Sequence, residues 1–256
     1  MSNEREDALA SRLLELQRGW TPDDFSERLR VTEDRVLVLA DAHIPYHDPK
    51  VLAQVLDFAR RQRVEAIVWL GDLMDLPTYS SWGTDDLTTL YKRELGIVAG
   101  VIEVAGEIVK KQYWSLGNHE ARIMRRNGFQ FGMEQLALMA GLDELMRDER
   151  LVVSDNPTLD YGDNWMLTHP ASYGGQPLVV PGRVADRYQK HVVSAHAHHW
   201  AQGKSPSGRF TVVESGGLFH AEYIKYVQHR ITDHRAWVQG YVFLADGEAF
   251  LIGPRG

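Results

Sequence analysis

Five short apolar runs in this chain each lead straight into a cluster of Asp, Asn and His. Val36-Leu37-Val38-Leu39 leads to Asp41-Ala42-His43, and Ala66 to Leu70 leads to Gly71-Asp72-Leu73-Met74-Asp75. Tyr113 to Leu116 leads to Gly117-Asn118-His119-Glu120, Leu167-Thr168 to His169, and Val192 to Ala195 to His196-Ala197-His198. Runs this short and this apolar read as buried strands. Open α/β folds build their sites just beyond the carboxyl ends of such strands. A fold that gathers these ends gathers carboxylates, an amide and imidazoles, so a metal site is the leading expectation.

At 256 residues the chain is near the size at which one hydrophobic core stops growing. One main domain over residues 31–256 is therefore expected, preceded by a helical extension over residues 1–30. The formal net charge of -7 offers nucleic acid no global attraction, although a local basic patch remains open. Cysteine is absent, which excludes disulfides, thiolate metal sites and cysteine nucleophiles. The charged start, Met1-Ser2-Asn3-Glu4-Arg5-Glu6-Asp7, and the lack of any run of transmembrane length predict a cytoplasmic protein with no membrane partner.

Within the extension, Leu9, Leu13 and Leu16 recur at helix spacing, and Thr21-Pro22-Asp23-Asp24 reads as the start of a second helix burying Phe25 and Leu29. Nothing basic is concentrated there, so docked helices are preferred to a DNA-binding pair. From Arg35 the pattern is α/β. Asp48-Pro49 caps a helix with Val51, Leu52, Val55 and Ala59 inward, and a long helix reaches about Lys111. That helix carries Gly96, Gly100 and Gly106, each costing roughly 1 kcal/mol against Ala in a helix interior, so it either packs closely there or breaks. A further helix is expected around Met133, Leu136, Ala137 and Ala140. Strands are expected at 151–153, 165–168, 192–195, 210–214, 238–244 and 249–252, with Asp246-Gly247 as a hairpin turn between the last two. The composite is two sheets packed together with helices outside.

Carboxylate, amide oxygen and neutral imidazole suit Mn, Fe, Zn, Co, Ni or Mg. In Asp41-x-His43, residues two apart point the same way if the segment stays extended, and His196-x-His198 repeats the device. Asp72, with two oxygens to share, is the natural bridging ligand, and Asn118 and His169 complete a second ion. Such a centre activates water and clamps a phosphoryl group.

The series Asp41-x-His43, Gly71-Asp72-x-x-Asp75, Gly117-Asn118-His119-Glu120, His169 and His196-x-His198 resembles the calcineurin-like metallophosphoesterase superfamily from about Arg35 to Gly217. The compact core and short helical inserts look similar to bacteriophage-encoded members. The resemblance implies a four-layer α/β-β/α sandwich of two mixed sheets with a binuclear site at one edge. It implies that Asp41, His43, Asp72 and His198 hold one divalent ion, manganese favoured, and that Asp72, Asn118, His169 and His196 hold the other. His119 would then be the donor to a phosphate oxygen or leaving group, oriented by Asp75, with a metal-bridging hydroxide as nucleophile.

Ala195 and Pro170 stand where the family often has Gly, which bears on the approach of substrate. Leu76-Pro77 replaces the Arg-Gly of the serine/threonine phosphoprotein phosphatases, which lowers that reading, while Glu120 points towards it. Arg122 is a further candidate for phosphate contact; Arg125 and Arg126 read as a solvated face, and His47, His199, Trp82 and Trp200 as weaker candidates. Lys225, His229, Arg230, His234 and Arg235 form a basic stretch that could steer a nucleotide or nucleic acid, though a charged crossover is the plainer reading. The expected function is hydrolysis of phosphodiesters such as 2′,3′-cyclic nucleotides. The alternatives are a DNA or RNA nuclease, a protein or small-molecule phosphomonoesterase, and a non-catalytic scaffold. Expected partners are a small phosphoester or nucleotide, with nucleic acid and oligomeric state left open.

Overall fold

The computed structural model describes residues 9–15, 28–79, 87–128, 131–224 and 237–253. Residues 9–15 form helix α1, on which Leu9, Leu13 and Leu14 are exposed. Leu16, Thr21 to Asp24 and Phe25 lie outside the described residues. Leu29 packs against the main core, and strand β1 (Arg30–Val31) already belongs to a sheet, so the expected helical extension gives way to extended chain before residue 31.

Strands β2 (Val36–Leu39), β3 (Ala66–Leu70), β4 (Lys111–Ser115) and β5 (Leu151–Ser154) run parallel in one sheet. The other sheet holds β1 with β6 (Thr158–Tyr161), β7 (Trp165–Thr168), β8 (His191–Ser194), β9 (Trp200–Lys204) and β10 (Thr211–Ser215), in the order β1-β6-β7-β8-β10-β9. A final hairpin, β11 (Tyr241–Ala245) and β12 (Glu248–Ile252), adds antiparallel strands to the first sheet, giving β12-β11-β2-β3-β4-β5. Its two-residue turn has Asp246 and Gly247 both left-handed, at φ 54 and 76, the geometry that the Asp-Gly pair favours. Both sheets are mixed, as expected.

The apolar runs are continuous because both faces of their strands are covered. Val36, Val38, Val68 and Leu70 meet Leu167, Val193 and Val213 between the sheets. Their neighbours Leu37, Leu39, Ile67, Trp69 and Trp114 turn the other way. There they meet α2 (Pro49–Arg61), α3 (Leu87–Gly106), α4 (Glu120–Arg126) and α5 (Met133–Met139), near the short α6 (Asp143–Arg147). On the far side Met166, Val192 and Val212 pack with Ala185 of α7 (Val179–Tyr188). Four layers result.

Helix α2 starts as the sequence predicts: Asp48 Oδ1 accepts from the backbone N–H of Lys50 at 2.9 Å and of Val51 at 3.2 Å. Helix α3 runs unbroken through Gly96 and Gly100, and no described atom lies within 4 Å of where their Cβ would be, so neither close packing nor a break explains them. It ends at Gly106, before Lys111. Strands β1, β6 and β9 were not legible as apolar runs. β9 is a polar edge, Trp-Ala-Gln-Gly-Lys, alternately exposed and half-buried.

Ile67 is fully buried between sheet and helices, whereas Val104 on α3 is 48% exposed. Ile67→Ala should cost about 2–5 kcal/mol in denaturant unfolding, and Val104→Ala within about 0.5 kcal/mol. Equal costs would contradict this layering.

Candidate metal centre

The five clusters meet where strand ends leave the two sheets, and the backbone there is unusual. Asp41, His43, Asp72, His196 and His198 all have positive φ, between 47 and 76. The two Asp-x-His and His-x-His pairs are therefore not extended, as the sequence reading supposed. Their side chains converge because left-handed residues turn the chain sharply at each strand end. Each such non-Gly residue costs about 1–2 kcal/mol, and such strain persists only where surrounding bonds over-determine it. Those bonds are present: Asp41 N–H donates to Gly71 O (3.2 Å), His43 N–H to Asp72 O (3.0 Å) and Ile44 N–H to Leu73 O (2.9 Å).

Asp41, His43 and His198 form the first cluster. His198 Nε2 lies 3.3 Å from Asp41 Oδ1 and 3.3 Å from His43 Nε2, while His43 Nε2 is 3.8 Å from the same Asp41 oxygen. Asp41 Oδ2 accepts from His196 N–H at 3.1 Å. The second cluster joins Asp72, His169 and His196. Here His169 Nε2 is 3.4 Å from Asp72 Oδ2 and 3.0 Å from Asn118 Oδ1. All seven expected ligands are thus brought to the site, with Asp72 grouped with the second cluster.

The outer nitrogens are committed elsewhere. His169 Nδ1 faces Leu70 O at 3.0 Å, and His43 Nδ1 faces Asp75 Oδ1 at 3.1 Å. With Nδ1 engaged in this way, each ring turns Nε2 towards its cluster, the nitrogen that metal-ligating histidines use. Asp41 Oδ1 is buried and has no hydrogen-bond partner. Carboxylates this deep need a compensating positive charge. Imidazoles stand close enough to offset it. Burial would raise Asp41 and Asp72, but His198 holds the first below the usual carboxylate range and His119 and His169 hold the second well below. Burial would lower His169, yet Asp72 beside it pushes it up to about 10. His196 goes the other way, lowered by burial and by His169 to about 4. An orphan carboxylate oxygen and inward Nε2 atoms are what two divalent cations would use, so the donor set fits them.

His119 stands beside both clusters with Asp75 and Arg122. Its Nδ1 lies 2.7 Å from Asp75 O and 3.3 Å from Asp75 Oδ1, and its Nε2 3.7 Å from Asp72 Oδ2. Asp75 Oδ1 therefore serves two rings, His119 and the ligand His43. Arg122 Nη2 donates to His119 Nε2 at 2.8 Å, and its Nη1 to Asp75 O at 3.3 Å. Arginine is always a donor, so Nε2 accepts here and Nδ1 carries the proton. Burial lowers the pKa of His119, but Asp72 and Asp75 raise it above the ordinary value against the opposing charge of Arg122. Nε2 is open to a proton only once Arg122 has turned away.

Two acids that sequence reasoning undervalued brace the site. Glu120 is fully buried, and its Oε2 accepts from the backbone N–H of Asp72 (3.0 Å) and Gly117 (3.1 Å), its Oε1 from Met74 (3.0 Å). Burial and the nearby Asp72 push it up to about 7. A Cβ on Gly117 would overlap Asp72 N and Oδ1, and one on Gly71 would come within 2.6 Å of His169 Nδ1. Glu94 Oε1 accepts from Leu76 N–H at 2.7 Å, and burial holds its carboxyl well above the usual range. Neither Glu120 at the start of α4 nor Glu94 inside α3 carried a sequence signal of such reach.

The weaker candidates fall away from the chemistry. Buried His199 has its Nδ1 3.3 Å from Glu214 Oε2, His47 is half-buried beside Asp48, and Trp200 packs over Gly240 and Gly253. Arg126 lies over the Tyr79 ring. Trp82 and the basic stretch from Lys225 to Arg235 lie outside the described residues.

Comparison with known proteins adds a family. The calcineurin-like phosphoesterase profile matches residues 34–215, well over half of the chain. The Gene 54 protein of Mycobacterium phage D29 is 40% identical over 48 residues, and the match spans only 19% of either chain. Among solved structures, a dimetal phosphatase from Danio rerio aligns over 86% of this chain and 96% of its own at 12% identity and a TM-score of 0.43. Yfce, a phosphoesterase from E. coli, covers 86% and 100% at 13% identity and 0.41. Vps29 from Chaetomium thermophilum covers 82% and 79% at 10% identity and 0.44. Structural likeness this distant bears on neither substrate nor residue roles.

Asp72→Asn keeps the shape of the side chain but removes the charge that offsets bound cations. Metal analysis should find at least one ion lost, and turnover should fall about 100-fold or more. Normal metal content in this variant would contradict a central place for Asp72.

Proposed function

The chain belongs to the calcineurin-like phosphoesterase family, and on that premise we propose that it hydrolyses phosphodiesters, 2′,3′-cyclic nucleotides among them, with two divalent ions. The observation that carries the proposal is the pair of adjoining Asp/His clusters with His119 beside both. Asp41, His43, Asp72 and His198 would hold one ion, and Asp72, Asn118, His169 and His196 the other, with manganese the proposed occupant. When bound, the ions would lower the pKa of a water and neutralise charge on the phosphoryl oxygens.

The chain's own groups complete the work. Asp75 fixes the His119 ring through both its carbonyl and its carboxylate. Arg122 would leave Nε2 of His119 for a phosphoryl oxygen; Nε2 would then take a proton from water, favoured by Asp72 and Asp75 beside the ring, and give it to the departing oxygen. One guanidinium against His119 suits the single negative charge of a diester. Glu120 does not favour a phosphoprotein phosphatase, because its bonds to the Asp72, Met74 and Gly117 backbones account for it as a brace. A main domain over residues 31–256 after an N-terminal extension remains part of the same proposal, with Leu29 and Arg30 now counted with the domain. Among the described residues no helix is long and apolar enough to cross a membrane.

Exhaustive chelation should abolish turnover of bis-substituted diesters and cyclic nucleotides, and manganese should restore it. Full activity in the chelated protein would reject the metal dependence, hydrolysis confined to phosphomonoesters or phosphopeptides would reject the diester reading, and hydrolysis confined to DNA would make the protein a nuclease.

His119→Ala should keep both ions and lose roughly 10²- to 10⁴-fold in kcat. A ribose alkoxide needs protonation as its bond to phosphorus breaks, whereas nitrophenolate leaves as a stable anion. The loss should therefore be larger on cyclic nucleotides than on nitrophenyl esters. Equal loss on both would make His119 an electrostatic stabiliser instead.

A further inference from the structure

The Asp75 carbonyl oxygen that faces Nδ1 of His119 at 2.7 Å and Nη1 of Arg122 at 3.3 Å belongs to the peptide unit between Asp75 and Leu76. The N–H of that same unit donates to Glu94 Oε1 at 2.7 Å. A peptide unit is planar with its N–H and carbonyl opposed, so a grip on the N–H fixes the direction of the carbonyl. Glu94 therefore holds the back of the group on which His119 rests, although helix α3, which carries it, supplies none of the proposed metal ligands.

The backbone at this point needs holding. Leu76 is left-handed at φ 49 and fully buried, a conformation that a bulky residue keeps only under outside constraint. Glu94 can supply that constraint because it is itself fixed: it is fully buried, and Leu95, Val98 and Ile102 of the same helix pack into the core. Its Oε2 has no hydrogen-bond partner among the described residues, so burial of this acid is offset at Oε1 alone. Burial, with Asp75 and Glu120 nearby, holds its carboxyl well above the usual range, favouring a neutral form that adds no negative charge beside Asp75. An engaged N–H also polarises its peptide and strengthens the bond that the carbonyl accepts. The closer donor to that carbonyl is His119 Nδ1.

We propose that Glu94 is a positioning residue for the reaction, acting on His119 through the Asp75–Leu76 peptide unit. The inference rests on the proton-donor role proposed for His119, but it is read first from the ring itself. In zinc-loaded protein carrying isotope-labelled histidine, the imidazole N–H resonance of His119 is identified by its loss in His119→Ala. Glu94→Leu removes the acceptor, and Glu94→Asp keeps the acid but draws it back from Leu76. In both variants that resonance should move upfield or exchange away with water, with metal content unchanged. Glu94→Gln, which keeps an oxygen at the same reach, should retain the resonance and most of kcat. Turnover of cyclic nucleotides should fall about 10-fold or more in Glu94→Leu and Glu94→Asp, as a displaced catalytic group would cause, with a smaller loss on nitrophenyl esters. In a His119→Ala background the same substitutions should add less than about twofold, because residues that act through one another are not additive.

An unmoved His119 resonance, a Glu94→Gln variant that behaves like Glu94→Leu, or a loss that persists in full without His119 would overturn the proposal. Unfolding of both Glu94→Leu and Glu94→Asp would also overturn it, making Glu94 a residue of the fold alone. Diester turnover judges the activity separately: a shifted resonance in a protein that hydrolyses no diester would keep the hold of Glu94 on His119 and reject the diesterase.

Discussion

Everything in this molecule is arranged around two carboxylates that have been taken out of water. Asp41 and Asp72 are buried at the ends of neighbouring strands, and one oxygen of Asp41 has no hydrogen-bond partner at all. Buried charge is tolerated only with close compensation. The chain sets imidazoles around them and, at His43 and His169, aims Nε2 inward by engaging Nδ1 elsewhere. Strained left-handed backbone at Asp41, His43, Asp72, His196 and His198 is the structural cost of that convergence.

The double-faced sheets make the convergence affordable. Val36, Val38, Val68 and Leu70 lock one face and Leu37, Leu39, Ile67 and Trp69 the other, so the strand ends cannot shift to relieve the strain. Glu120 then fixes the Asp72 loop through three backbone bonds, and Gly117 leaves the space that this needs. Asp75 joins the ligand His43 to His119 through one oxygen. The two rings are therefore mechanically linked, so a change at Asp75 reaches both the proposed ligand His43 and the proposed proton donor His119.

The Asp, Asn and His clusters and the strands that carry them were legible because chemistry and periodicity coincide: Val36 to Ala40 is uniformly apolar and Asp41 is not. The Asp48-Pro49 cap and the Asp246-Gly247 turn were legible for local reasons of the same kind. Left-handed geometry at Asp41 and His43 was not, since neither is a glycine and only tertiary bonds impose it. The edge strands β1 and β9 escaped because short or half-exposed strands carry little apolar signal. The brace role of Glu120, the seat of Arg122 on His119 and the second partner of Asp75 depend on contacts between distant elements, which spacing along the chain does not encode.

The central claim is that the paired clusters are one binuclear centre. Anomalous diffraction from crystals loaded with manganese tests it most directly. The account predicts two peaks, one among Asp41, His43 and His198 and one among Asp72, Asn118, His169 and His196, with Asp72 reaching both. A single peak in a protein that turns over at its full rate would contradict it.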